Sequence, residues 1–117
     1  MFDSDRIAPG AVFPILEYDN ANAGPGCPLL GSAFDGVAVI AGHVVRDERL
    51  LAQYGRLLYT DAGNPQIRSL IPSQAGAADD QHTGVSVPGT PFSFAEGSGR
   101  RLYVISGDGP VYRLDPV

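Results

Sequence analysis

Apolar and polar positions along this chain fall into short runs, and the runs set the expected elements. Residues 37–45, VAVIAGHVV, form an apolar stretch interrupted only by Gly42 and His43. The stretch is short and rich in valine, so it predicts a strand buried on both faces rather than a helix. Residues 46–49, RDER, close it with charge, and residues 50–53 predict one helical turn. Residues 56–60 (RLLYT) and 66–71 (QIRSLI) flank DAGNP and predict a hairpin with a five-residue turn. Residues 73–83 read as a polar loop with Asp79 and Asp80 at its tip, followed by a brief strand at 85–87.

Further along, Phe92 and Phe94 alternate with Ser93, which places both rings on one face of an extended segment. Residues 101–106 and 110–115 predict a closing hairpin around Gly107-Asp108-Gly109, with Asp108 serving the turn. Its expected packing positions, with the preceding strand, are Phe94, Leu102, Val104, Val111 and Leu114, and Tyr103 and Tyr112 form an expected cross-strand pair. Upstream, Pro14 cannot donate to a ladder, so residues 11–18 read as an edge strand or an extended entry segment. Residues 20–36 carry little periodicity and read as a long loop.

Seven or eight short strands, with turn signals roughly every 10 residues, predict an all-β sandwich, barrel or propeller. An internal echo favours the propeller. RLLYTDAGNPQIRSL and RLYVISGDGPVYRL share an Arg-Leu start, an apolar-Tyr pair and a Gly-containing turn. They begin at Arg56 and Arg101, a spacing of 45 residues that suits a four-stranded blade.

Composition narrows the function classes. The 117 residues amount to one domain by length, and 15 glycines with 10 prolines, spread along the chain, punctuate strands rather than helices. A net charge of −5 and eight scattered arginines oppose a phosphate-binding surface, so no nucleic-acid partner is expected. No apolar run approaches the roughly 20 residues of a membrane span, and the first residues, MFDSD, lack the basic and apolar regions of a signal peptide. Cys27 is the sole cysteine, which rules out an intrachain disulfide.

Candidate chemistry is sparse. His43 lies inside an apolar strand and reads first as a hydrogen-bonded structural histidine; with Tyr59 and Asp61 it makes up the candidate ligand-facing set. His82, Asp79 and Asp80 combine imidazole and oxygen donors that suit a cation, against the plainer reading of a solvated loop tip. Asp19, Asn20 and Asn22 have the wrong spacing for a calcium loop. No nucleophile elbow or phosphate-binding glycine loop occurs, and no catalytic residue is assigned.

Four motifs in order carry a family resemblance. Residues 14–19 (PILEYD) resemble a Pro-x-x-x-Tyr entry, 39–46 (VIAGHVVR) a Gly-Gly-aromatic-Val-aromatic-Arg strand, and 54–61 (YGRLLYTD) an Arg-Gly-Arg-Tyr-apolar-Tyr/Phe-Gly-Asp turn. The segment from Phe94 through 102–106 (LYVIS) to 109–114 (GPVYRL) is similar to the closing end of the glucose/sorbosone dehydrogenase family, the soluble quinoprotein sugar dehydrogenases. The resemblance implies about two to two and a half blades of a six-bladed β-propeller, with one blade at 37–90 and closing strands at 91–117. It implies partners too: further blades, from a longer parent chain or from other copies in a homo-oligomer, and a sugar ligand.

In that family pyrroloquinoline quinone (PQQ) sits with calcium in the central channel, and a histidine from an earlier blade draws the proton from the sugar. Those cofactors belong to a complete propeller and are not expected for this chain alone. Cofactor-contacting cations of some members correspond to residues 64–66 and 89–91, where this chain has no Lys or Arg. Ala41, His43 and Pro65 also depart from the family pattern, and Gly63 stands where many members place a second cysteine. Family members are often periplasmic or extracellular.

Overall fold

A computed structural model describes residues 9–12, 14–18 and 36–117; Cys27 and all of the expected long loop except Gly36 lie outside them. Seven strands are described. β1 (Val39–Val44), β2 (Leu57–Asp61), β3 (Asn64–Ser73) and β4 (Gly76–Ser86) form one antiparallel meander in chain order. β5 (Pro91–Glu96), β6 (Leu102–Ser106) and β7 (Val111–Arg113) form a second antiparallel sheet of three strands. The fold is all-β, as the strand lengths and turn spacing predict. The expected helical turn is a 3-10 turn at Leu51–Gln53, and a second one stands at Ser98–Arg100.

The two sheets share one core. Leu58 of β2 and Ile67 of β3 join Phe94, Leu102 and Val104 of the second sheet, together with Val45 and Val87, and Ile40, Leu50, Tyr112 and Leu114 pack around them. Leu58, Ile67, Leu102 and Val104 are all at most 2% exposed. Burial of each such side chain stabilises the fold by about 1.5–3 kcal/mol. On the opposite face of the first sheet, Tyr59 and Leu70 gather Leu16, Tyr18, Leu57 and Ala77. β2 is therefore covered on both faces, which suits its near-continuous apolar sequence.

Several expectations are corrected. β1 is an edge strand, and Val39 is 60% exposed, so the VAVIAGHVV run is not buried on both faces. Strong apolar character there serves one face only, where Gly42 lies under the Phe94 ring; a Cβ on Gly42 would stand 3.0 Å from that ring. The first hairpin turns on two residues, since Asp61 pairs directly with Asn64.

The polar loop expected at 73–83 is instead most of β4, hydrogen-bonded along β3. Its charged residues read as loop because the arginines that pair with them stand on β3 and just before β2, outside any local window. Register irregularities interrupt this ladder, and Asp79 has a positive φ of 51°.

Phe92 and Phe94 do not share a face. A bulge between Pro91 and Ser93 shifts the phase, leaving Phe94 buried and Phe92 64% exposed beside Gly107. Tyr103 pairs with Arg113, and Tyr112 pairs with Val104, so the two tyrosines are neither opposite nor on one face. Of the expected packing positions, Val111 is the exception, at 60% exposed. Residues 14–18 carry no strand; Ile15 contributes its carbonyl oxygen to the Ala77 N–H at 2.9 Å.

Candidate functional site

Asp61 ends β2 and is fully buried. Its Oδ1 accepts from the backbone N–H groups of Val37 and Gly63, both at 2.7 Å, and its Oδ2 accepts from the Tyr18 hydroxyl at 2.6 Å. Burial alone pushes this carboxyl upward, but the hydrogen bonds from Tyr18, Val37, Gly63 and Ala38 outweigh it and hold it below the ordinary aspartate value. The carboxylate stays ionised and is fully engaged. Tyr18 responds in the opposite direction, its phenol raised by burial first and then by the Asp61 carboxylate. Gly36 and Gly63 leave the room this requires, since a Cβ on Gly36 would fall 2.2 Å from Asp61 Oδ2.

Tyr59, two residues earlier on the same face, donates to Asp80 Oδ1 at 2.7 Å and accepts from Arg68 Nε at 3.2 Å. Arg68 closes the set with an Nη2 contact to Asp80 Oδ2 at 3.0 Å. Burial, followed by the bond to Asp80, raises the Tyr59 phenol, so it remains protonated. Beside this set, buried Arg56 donates to Ser69 Oγ and to Asp79 Oδ2, each at 2.8 Å, and also reaches the carbonyls of Ser69 and Asp79.

The candidate residues thus separate. Tyr59 and Asp61 share one face of β2, each locked in its own hydrogen-bond set. His43 is half-buried on β1, in the irregular register between Ala41 and Val44. Asp79 and Asp80 each serve an arginine, and His82 Nε2 lies 3.2 Å from the Val85 carbonyl oxygen. Among the described residues no three His, Cys, Asp or Glu side chains converge as a metal site. On this face the protonated phenol of Tyr59 and the ionised carboxylate of Asp61 tie strands and the entry segment together.

The described residues line two openings. One is a cleft of about 360 Å³ between the sheets, lined by Leu50, Leu51, Leu58, Ile67, Val85 and Leu114 among others, with Gln53 in its wall. The other, about 610 Å³, is polar and carries Arg46, Arg49 and Arg100 beside Asp47 and Glu48. Arg46 stacks over the Tyr54 ring at 5.7 Å, and Arg49 Nε contacts buried Asp47 at 2.6 Å.

Sequence reading misses Tyr18, Arg56, Arg68 and Asp47 as polar anchors. Asp61 and Tyr18 stand 43 positions apart, so no local pattern joins them. The signal that was present is Arg56 and Arg68 recurring inside apolar runs, where a buried guanidinium requires a carboxylate. Among the described residues no helix is long and apolar enough to cross a membrane. Comparison of the chain with family models, with curated proteins and with solved structures found no match.

Proposed function

We propose that the chain furnishes the closing blades of a β-propeller of the quinoprotein sugar dehydrogenase type, structural for the whole and without catalysis of its own. The observation that carries this reading is the order in which the strands stack. Propeller blades are four-stranded sheets set around a central channel. Here β1–β4 form one four-stranded meander and β5–β7 begin a second. Their first strands, β1 and β5, make the most extensive strand contact between the sheets. Residues 37–90 then correspond to one blade and 91–117 to closing strands, with the remaining blades supplied by a longer parent chain.

The expectation of no turnover is supported by the residues already described. Tyr59 and Asp61 already bond Asp80, Arg68, Tyr18 and backbone N–H groups, and an ionised Asp61 would repel a quinone carboxylate, which supports the reading that neither serves the cofactor. Residues 64–66 and 89–91 carry no cation for a quinone. Purified chain supplied with PQQ and calcium is expected to give no dye reduction with aldose sugars; robust turnover would overturn the reading.

A second reading is a self-associating module that binds carbohydrate or protein. It is favoured by the outer face of the second sheet, where Ile105 and exposed Val111 lie in register beside the row of Tyr103 and Arg113. Three copies of about two blades each would close a ring of six, repeating any site by symmetry. Light scattering separates the readings: a mass near three times 12.3 kDa favours the ring, and a 12.3 kDa monomer with a cooperative melt removes it.

A further inference from the structure

The arginines are scattered along the chain, but the fold brings Arg46, Arg49 and Arg100 to one polar opening of about 610 Å³. That volume is in the range that small ligands occupy. Arg46 and Arg49 follow β1, and Arg100 stands in the turn between β5 and β6. Arg49 bridges the two sheets here, since its Nη2 donates to the Gly99 carbonyl at 2.8 Å.

The charges of the lining are unequally engaged. Buried Asp47 accepts from the Arg49 backbone N–H at 3.0 Å and from its Nε at 2.6 Å, so that pair is satisfied within itself. Arg46 lies over the Tyr54 ring, which fixes the guanidinium without supplying an acceptor. Among the described residues its N–H groups meet no carboxylate or carbonyl. Arg100 is paired to Glu96 at 3.3 Å, with its own side chain 66% exposed, a contact that water screens. Against these two guanidiniums the described lining sets one further carboxylate, Glu48.

Arg100 also carries backbone strain. Its φ is 62°, directly after Gly99 at 68°, and the Gly97 N–H closes the turn on the Arg101 carbonyl at 2.8 Å. Glycine enters the left-handed region without cost, whereas arginine does not. A strained residue of this kind persists where its side chain serves a ligand clamp.

We propose that this opening binds a small oxyanion, a carboxylate or a phosphate ester, between Arg46 and Arg100, with Arg49 adding its charge. Guanidinium forks match the paired oxygens of either group. A small anion suits the site better than a polyanion. Charges beyond a Debye length of about 8–10 Å no longer feel these cations, and the chain as a whole carries −5. The described residues that border the rest of the chain lie elsewhere. Tyr18 and Val37 are bonded to Asp61 at the far end of β2, and Ile15 is bonded to Ala77 on β4, three strands from β1. The inference does not depend on the propeller reading, since it uses only the opening and its arginines.

The test follows arginine side-chain Nε–H signals by NMR on the full chain, titrated with sodium phosphate or sodium acetate, with sodium chloride at matched ionic strength as the control. The Arg46 and Arg100 signals are expected to shift and saturate with phosphate, acetate or both, while that of Arg68, in the Tyr59 set, stays in place. A response to phosphate alone identifies a phosphate ester as the ligand group, and one to acetate alone a carboxylate. Arg46→Met and Arg100→Gly are each expected to weaken binding by about tenfold or more. Arg100→Gly is expected to leave the denaturation midpoint unchanged or raise it, because glycine relieves the left-handed turn. No saturating shift with either anion overturns the proposal, and so does the result if the chain's own carboxylates already fill the opening. Equal shifts with chloride, an equal response at Arg68, or unaltered binding in either variant also overturn it. A lower midpoint for Arg100→Gly makes that arginine structural and overturns it as well.

Discussion

The Tyr18 hydroxyl donates to Oδ2 of Asp61 at 2.6 Å, binding the entry segment to the end of a strand 43 positions later. Tyr18→Phe keeps the ring in place among Tyr59 and Leu70 but removes the bond to a buried carboxylate. It is expected to cost about 1.5–3 kcal/mol, read as a lower denaturation midpoint with an unchanged slope.

The same carboxylate sets an acid limit. Asp61 is held below its ordinary value, so the unfolded chain binds its proton more readily than the folded one. Its contribution is complete above the unfolded pKa of about 3.9 and is lost as pH falls through the lower folded value. Stability should therefore decline below about pH 4, and Asp61→Asn, less stable at neutral pH, should decline less steeply there. Thermal melts across that range compare the two slopes.

The two aspartates of β4 are expected to differ. Asp80 has a side chain 25% exposed and serves both Arg68 and Tyr59, whereas Asp79, at 60%, faces solvent beside Arg56. Asp80→Ala leaves a half-buried guanidinium and a phenol without their acceptor and should cost about 1–3 kcal/mol. Asp79→Ala takes a largely exposed carboxylate from buried Arg56, which keeps its bonds to Ser69 and to the carbonyl of residue 79, and should cost less, about 1 kcal/mol. Chemical denaturation of both variants reads the difference.

The contact between sheets depends on a missing side chain. A Cβ on Gly42 would fall 2.7 Å from the Leu58 carbonyl oxygen and 3.0 Å from the Phe94 ring. Gly42→Ala must push β1 away from both, with an expected loss of about 1–3 kcal/mol by overpacking. Leu58→Ala, from the other side of the core, opens a cavity instead and should cost about 2–5 kcal/mol. Denaturation midpoints of the two variants give both losses.

These residues also show what could be read from the chain alone. The apolar spacing around Leu58, Ile67, Leu102 and Val104 places strands and core correctly, because local alternation and burial agree there. β4 escaped that logic. Its Asp79, Asp80 and His82 look like loop in isolation, and they become strand through β3, Arg56 and Arg68. Phe92 misled for a related reason, since a bulge against β6 inverts a face that strict alternation assigns. Tyr59 and Asp61 stood out as chemically notable, yet their bonds to Asp80 and Tyr18 form across distances that no local pattern records.

Two meanders stack with their first strands side by side, β1 against β5, as successive blades would. The Gly42 α-protons and the Phe94 ring protons report on that contact directly. A nuclear Overhauser cross-peak between them is expected in the folded chain; a well-dispersed spectrum of the folded chain without it would mean that the sheets do not stack in this way.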